Sequence, residues 1–189
     1  MFIIPEVHLR KLTHDEIAST RLDPEAVLTV PRPPIYGLLD NIRSLYNVGS
    51  IFRTSDGALV RKLHLCGYTP HPPRKEIEKT ALGATQSVDW AYYQDPLQAV
   101  EELRSHGVKI CVLEQTTQSR PYYSLSEVDF PLCLVVGNEI TGVTQRIIEA
   151  ADMAVEIPMH GVKQSLNAAV AYGIALFELA RIWNVGRLI

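Results

Sequence analysis

The sequence has no cluster of residues that would mark a metal site. Its three cysteines show no C-x-x-C spacing, and its six histidines are scattered through 189 residues without the spacing of metal ligands. Nothing in the sequence therefore predicts zinc. Cys66, Cys111 and Cys133 each lie in or at the end of a predicted strand, so we expect them to be small hydrophobic residues of the core.

The sequence also lacks an apolar run long enough to cross a membrane, and it shows no signal peptide. The apolar start, Met1–Ile4, is too short for either and is followed by Pro5. With 47% hydrophobic and 21% charged residues, the chain suits one globular domain with a short appendage. We expect a soluble, cytoplasmic protein.

No strong excess of charge of either sign marks the whole chain. The formal net charge is −3, which gives no general sign of nucleic-acid binding. Between residues 40 and 80, however, seven basic residues stand against four acidic ones. This distribution predicts a local basic face on an acidic body, which would suit RNA. An ordinary solvated surface is the alternative.

What the sequence does contain, from Ile35 onward, is a regular alternation of strand and helix patterns. The predicted strands span residues 35–39, 62–66, 88–92, 108–113, 132–136 and 153–157; the predicted helices span residues 48–58, 76–82, 96–105, 144–151 and 165–183. Because the links between them are short, the pattern predicts an α/β fold with a mostly parallel sheet flanked by helices.

Residues 1–34 are predicted to form an N-terminal extension ahead of a domain spanning residues 35–189. Thr13 and Glu16 have the spacing of a capping box, which predicts a short helix. The segment Pro31-Arg32-Pro33-Pro34 predicts a stiff, extended linker into the domain.

Two glycine-bearing loops follow predicted strands near the end of the chain. The first runs from Gly137 to Gly142, and the second follows Pro158 and reaches Ser165, a suitable N-cap for the last helix. Open α/β sheets bind ligands at the carboxyl ends of their strands, so both loops are candidates for a pocket. The first loop lacks the Gly-Lys-Ser/Thr of a phosphate loop and the G-x-G-x-x-G of a dinucleotide site. A nucleotide-dependent oxidoreductase is thus an alternative supported by the α/β pattern alone.

A loop far upstream supplies a second group of polar residues. Asn47 is predicted to cap the helix over residues 48–58, and Gly49 in its first turn permits close approach of backbone. Arg53 lies four residues after Gly49 and is therefore predicted to project near the loop. Taken alone, Arg53 could equally be an ordinary surface arginine.

Three motifs, in this order and spacing, resemble the SpoU (TrmH-like) branch of the SPOUT RNA methyltransferases. They are Asn47-x-Gly49-x-x-x-Arg53, Gly137-Asn138-Glu139-x-x-Gly142-Val143, and Ile157-Pro158-Met159 with Ser165-Leu166-Asn167. The resemblance implies an α/β domain with a C-terminal trefoil knot and a homodimer that binds S-adenosylmethionine. It also implies methyl transfer, without a metal, to a ribose 2′-hydroxyl of tRNA or rRNA. A non-catalytic knotted RNA-binding or assembly factor is the alternative.

The resemblance further implies a set of site residues. Backbone groups at four positions would hold the adenine of the cofactor: Leu113, Gly137, Ile157 and Leu166. Arg53 would reach an active site formed with the partner protomer. Because a guanidinium stays protonated, we expect Arg53 to anchor a phosphate and stabilise developing alkoxide charge. Asn47 would orient Arg53 or the ribose, and the loops and the helix start would be held by Glu139, Asn167 and Ser165.

Overall fold

The computed structural model describes residues 9–20, 22–23 and 26–184, and the chain divides into two compact units. The first unit, residues 1–30, contains helices α1 (His14–Ser19) and α2 (Ala26–Thr29). Thr13 and Glu16 make the reciprocal bonds of a capping box, which confirms the predicted short helix. Within the described ranges, no helix is both long enough and apolar enough to cross a membrane.

The second unit, residues 31–189, is built on a seven-stranded sheet. Its strands are β1 (Ile35–Asp40), β2 (Lys62–Cys66), β3 (Trp90–Tyr93), β4 (Lys109–Leu113), β5 (Arg120–Pro121), β6 (Leu132–Gly137) and β7 (Met153–Glu156). They lie in the order β3-β2-β1-β6-β4-β7-β5, and each neighbouring pair is parallel. The predicted α/β fold with a mostly parallel sheet is confirmed, whereas the knot stays a prediction.

Helices cover both faces of this sheet and enclose two apolar clusters. The helices are α3 (Leu45–Gly57), α4 (Lys75–Ala81), α5 (Ala84–Ser87), α6 (Pro96–Ser105), α7 (Gln145–Glu149) and α8 (Ala168–Asn184). One cluster joins the sheet to α3, α4, α5 and α8, and the other joins it to α6 and α7. Between α3 and α8 the fully buried Tyr172 places its hydroxyl 2.9 Å from Ser55 Oγ. A polar contact inside an apolar cluster fixes how these two helices pack.

The three cysteines lie where the sequence predicts them. Cys66, Cys111 and Cys133 are all fully buried in strands β2, β4 and β6. Burial raises the pKa of each thiol, to about 12 for Cys111. These thiols therefore remain protonated and act as small core side chains.

Two predicted helix starts are wrong. Helix α3 begins at Leu45, and its N-cap is Ser44, whose hydroxyl accepts the Asn47 N–H at 3.2 Å. Asn47, the predicted cap, therefore lies inside the first turn with its side chain available for tertiary contacts. Helix α8 begins at Ala168, three residues after the predicted cap Ser165.

One strand escapes prediction, and several strand ends shift by one or two residues. Strand β5 has only two residues, Arg120–Pro121, so it shows no alternation by which a sequence could reveal it. It forms the edge of the sheet beside β7, where Arg120 is in register with Val155. Strand β3 begins at Trp90, two residues later than predicted.

One buried histidine makes folding of the sheet sensitive to acid. The side chain of His64 in β2 is 1% exposed, and its ring stacks on that of Tyr93 at 5.5 Å between centroids. Its Nδ1 lies 3.3 Å from the Gly37 carbonyl oxygen. Burial, with a smaller effect from the nearby Lys62 charge, lowers the pKa of His64 to about 4. The folded state therefore disfavours the protonated imidazole.

We predict that His64 weakens the fold as the pH falls. The native state holds His64 neutral while the unfolded chain binds a proton, so stability is complete above the ordinary pKa of 6.5 and declines toward pH 4. The loss from this group reaches at most about 3 kcal/mol. Urea unfolding from pH 7.5 to 4.5 should show a steeper decline for the natural protein than for His64→Phe. A difference between the two that does not change with pH would contradict this assignment.

Candidate functional site

A cleft lies at the carboxyl ends of β4, β6 and β7. It encloses about 830 Å³, counting its open mouth. All four positions predicted to hold a cofactor line it, namely Leu113, Gly137, Ile157 and Leu166. Glu139 and Ser165 line it as well. The structure thus brings together residues up to 53 positions apart in sequence, because parallel strands end at the same edge of the sheet.

The loop after β6 is closed tightly upon itself. Asn138 N–H donates to the Gly142 carbonyl at 3.0 Å, and Gly142 N–H donates back to the Asn138 carbonyl at 2.9 Å. A Cβ atom at Gly137 would collide with the backbone of Gly142 and Val143. Gly142 itself has a φ of 70°, which favours glycine. Both glycines of this motif therefore have a steric explanation.

Asn138 organises the loop, although it was not among the predicted site residues. It is 6% exposed, and its Oδ1 accepts the N–H groups of Ile140 and Thr141, each at 2.9 Å. Its Nδ2 donates to the Asn41 carbonyl at 2.9 Å and to the Tyr68 hydroxyl at 2.8 Å. The available signal was an asparagine directly after a strand, a position where its side chain commonly caps a turn.

Two carboxylates fix the far side of the same loop, and sequence analysis missed both. Asp40, at the end of β1, accepts the Thr144 N–H at 2.7 Å. Burial raises the pKa of Asp40 despite that hydrogen bond. Glu114, directly after β4, accepts the Val143 N–H at 3.0 Å. Charged residues at the ends of apolar strands were the available signal, because such positions face the ligand edge of the sheet.

Glu139 joins the loop after β6 to the start of α3. Its carboxylate accepts the backbone N–H groups of Arg43 at 3.0 Å and Ser44 at 3.2 Å. It also accepts the side-chain amide of Asn47 at 2.7 Å. Asn47 in turn accepts an amide N–H from Asn167 at 3.1 Å. Three predicted site residues, Asn47, Glu139 and Asn167, therefore form one hydrogen-bonded chain.

These bonds determine the charge of Glu139. Loss of solvent around the carboxylate raises its pKa, but the hydrogen bonds from Arg43, Ser44 and Asn47 outweigh that effect. The pKa of Glu139 consequently lies below its ordinary value. An ionised carboxylate with its oxygens occupied by N–H donors is suited to holding loops together and poorly suited to removing a proton.

Asn167, and not Ser165, caps helix α8. The Oδ1 atom of Asn167 accepts the N–H groups of Ala169 at 3.0 Å and Val170 at 3.3 Å. Ser165 is exposed, and within the described part of the chain its hydroxyl makes no hydrogen bond. Both residue types are good caps, so the sequence could not decide between them. The bond from Asn167 to Asn47 makes the later position the better anchored one.

The model of the SpoU rRNA methylase family matches residues 34–177. The chain belongs to this family. A tRNA (guanosine(18)-2′-O)-methyltransferase of Aquifex aeolicus is 37% identical over 148 residues, which are 75% of this chain and 66% of that protein. The chain spans 60%, 64% and 64% of three further curated relatives, so all four of these proteins contain sequence beyond the matched part.

Solved structures of RNA-modifying enzymes share this fold. The A. aeolicus TrmH/SpoU tRNA-modifying enzyme superposes with a TM-score of 0.75 at 30% identity, covering 85% of this chain and 80% of that one. An AdoMet-bound rRNA methyltransferase from Sinorhizobium meliloti gives 0.74 at 29% identity, covering 84% and 58%.

In this SpoU family member, Arg53 stands apart from the cleft of its own chain. Its side chain is exposed on α3, six residues after Asn47, and it does not line the cleft. Among the described residues it has no hydrogen-bond or ion-pair partner. The structure therefore brings together every predicted site residue except Arg53, whose catalytic role stays a prediction.

The two candidate caps give a direct test of the corrected helix start. Asn167→Ala removes the acceptor of two N–H groups and the bond to Asn47, so it should lower the free energy of unfolding by about 1 kcal/mol. Ser165→Ala is the matched control and should leave stability unchanged, because that hydroxyl has no partner within the described residues. Urea unfolding followed by circular dichroism measures both. Greater destabilisation by Ser165→Ala would restore the original assignment.

Proposed function

We propose that this chain transfers a methyl group from S-adenosylmethionine to a ribose 2′-hydroxyl of tRNA or rRNA. The main observation in support is the cleft at the strand ends. Residues of the family motifs line it, and Glu139 joins it to the helix that bears Arg53. Relatives named as tRNA 2′-O-methyltransferases and an AdoMet-bound family structure support the substrate and the cofactor.

The residues of the cleft fit this cofactor. Leu113, Gly137, Ile157 and Leu166 line the cleft, and backbone N–H and C=O groups at such positions would supply donors and acceptors for an adenine. Glu114 and Glu156 also line the cleft, and no lysine or arginine is among its described lining residues. Acidic walls suit a cationic sulfonium. When bound, S-adenosylmethionine would supply an electrophilic methyl group, and the protein would have to align a hydroxyl with it.

In this proposal Arg53 contacts the RNA, whereas Glu139 holds the loops of the site in place. A ribose hydroxyl is a weak nucleophile that must lose its proton around the transition state. Arg53, always protonated, would bind a neighbouring phosphate and stabilise the negative charge that develops on the ribose oxygen. Asn47 orients the segment between the cleft and Arg53, while Glu139 and Asn167 keep the two loops in place.

The chain functions as a homodimer in this proposal, because Arg53 does not line the cleft of its own protomer. An exposed apolar stripe runs along α8, with Val170 52%, Ile174 37% and Phe177 53% exposed. The stripe adjoins α3, since a Cβ atom at Gly57 would lie 3.6 Å from Phe177 Cζ. A second copy that covers this stripe would bring the cleft of one protomer near α3 of the other.

A trefoil knot and the domain division complete the proposal. Helix α8 packs on α3 and also contacts the 3₁₀ turn Tyr122–Ser124, which belongs to the connection between β4 and β6. That arrangement is the one expected if the chain threads through the connection. Residues 35–189 would form the methyltransferase domain, with residues 1–34 as an extension. The protein would act in the cytoplasm.

The test of this function is the variant Arg53→Ala. The natural protein should bind S-adenosylmethionine in calorimetry and transfer its methyl group to bulk RNA, and nucleoside analysis should find 2′-O-methyl ribose. Arg53→Ala should bind the cofactor equally well but lose more than about a hundredfold of its turnover, as expected for one transition-state contact.

Arg61→Ala is the matched control, because Arg61 precedes β2 and so lies at the opposite edge of the sheet. It should retain full turnover. Absence of cofactor binding, or methyl groups found on bases only, would refute the proposed function. Near-normal turnover of Arg53→Ala would refute the role of Arg53 alone.

The dimer is tested by placing a charge in the apolar stripe. Phe177→Glu should convert a dimer into a folded monomer in sedimentation, because a carboxylate cannot be buried there without a partner. Val128→Glu is the control, since Val128 is 78% exposed and lies outside the stripe. Circular dichroism verifies folding of both variants. A natural protein that sediments as a monomer would exclude this interface.

A further inference from the structure

Five exposed basic residues before, on and around helices α3 and α4 have no acidic partner among the described residues. Arg43 and Arg53 flank the first turns of α3, and three others follow the loop after β2: Arg74, Lys75 and Lys79. None of the five forms an ion pair within the described residues. Elsewhere in the second unit, five basic residues form ion pairs, namely Lys62, Arg104, Arg120, Arg146 and Arg181. Three others, Arg61, Lys109 and Lys163, form none within the described residues. Cations without an internal ion pair can bind an anionic partner without first breaking internal bonds.

Exposed aromatic side chains lie in the same part of the chain as Arg74, Lys75 and Lys79, on the loop after β2 and on β3. Tyr68 is 60% exposed and Tyr92 is 43% exposed. Between them in the chain, the exposed His71 places its ring 5.0 Å from that of Tyr92 and stacks on Trp90 at 5.9 Å. Arg74 follows His71 after only two prolines. Aromatic rings interleaved with basic residues are the combination that binds single-stranded nucleic acid.

The exposed tyrosine rings are held in place by their hydroxyl groups. Tyr92 Oη donates to the Gly67 carbonyl at 2.7 Å, and Tyr68 Oη accepts from Asn138 Nδ2 at 2.8 Å. The Tyr68 N–H also donates to Asn41 Oδ1 at 3.1 Å. Rings that are fixed at their edge while much of their surface stays exposed lose little conformational entropy when a ligand stacks on them.

The same hydrogen bond places Tyr68 beside the cleft. Asn138 lines the cleft and holds the loop after β6 through its own side chain. A base stacked on Tyr68 would therefore lie beside the loop after β6, because the Tyr68 hydroxyl is bonded to Asn138 of that loop. A nucleotide next to a ribose bound at the cleft would therefore be within reach of Tyr68.

We propose that Tyr68 and the His71–Tyr92 pair form a stacking platform for unpaired bases next to the target ribose. In this assignment Arg74, Lys75 and Lys79 bind the phosphates of the same strand. The substrate is then an RNA loop or other single-stranded segment, because bases within a duplex are already stacked and cannot reach aromatic side chains. This inference rests on the proposed function and specifies its substrate class.

The platform is tested with two substitutions at Tyr68. Tyr68→Ala removes the ring and should weaken binding of an unstructured oligoribonucleotide about tenfold, within the range measured for loss of one base–aromatic stack. Tyr68→Phe removes the bond to Asn138 but keeps the ring, so it should retain most of that affinity. The same oligoribonucleotide annealed to its complement should bind the natural protein more weakly than the single strand does.

The salt dependence of RNA affinity distinguishes the contribution of the basic residues from that of the aromatic rings. Lys75→Gln and Lys79→Gln should each reduce the slope of log K against log salt by about 0.7, the value for one phosphate contact on a single strand. Tyr68→Ala should lower the affinity and leave that slope unchanged. Lys109→Gln is the control, because Lys109 begins β4 at the opposite edge of the sheet, and it should change neither quantity.

The outcomes distinguish this inference from the proposed function. If the natural protein methylates RNA but Tyr68→Ala, Lys75→Gln and Lys79→Gln all bind RNA normally, the platform is refuted and the function stands. A surface used for a protein partner would give that result. Equal affinity for the duplex and the single strand would also refute the platform. If the natural protein binds no S-adenosylmethionine, the proposed function itself fails.

Discussion

The carboxylate of Glu139 is the contact on which the arrangement of the site depends. It projects from the loop after β6 and accepts three N–H groups from the segment that starts α3. Those two segments are more than ninety residues apart in sequence, so only noncovalent contacts determine how they lie relative to each other. A carboxylate bonded to several N–H donors is strongly held in its ionised form. This side chain therefore ties the loop that lines the cleft to the start of the helix that carries Arg53.

The chain of contacts continues from Glu139 to the third motif. Asn47 donates to Glu139 and accepts from Asn167, which in turn caps α8. The cap, the cleft and α3 are therefore mechanically linked, and the starts of two helices are defined relative to the same carboxylate. This explains physically why the three sequence motifs occur together: each supplies one member of a hydrogen-bonded chain that the others would leave incomplete.

The sequence predicts the sheet and most of the cleft, because apolar runs identify strands and parallel strands bring their ends together. It fails where two residues of equal local preference compete. Ser44 and Asn47 are both good N-caps, as are Ser165 and Asn167, and tertiary contacts to Glu139 and Asn47 decide each case. The roles of Asn138 and Asp40 are not predicted for a different reason: their hydrogen-bond partners lie up to 104 residues away in the sequence.

The near-neutral net charge conceals a division that the proposed reaction requires. Glu114, Glu139 and Glu156 line the cleft, where a sulfonium would be bound, while the unpaired cations lie outside it on α3 and around α4. A cationic cofactor and a polyanionic RNA need surfaces of opposite sign within a short distance. Ion pairs between the acidic residues of the cleft and the nearby basic residues would weaken both surfaces. The oxygens of Glu139 accept N–H groups of the protein, and Glu139 forms no ion pair with the described basic residues. The basic residues nearby thus remain available for phosphate.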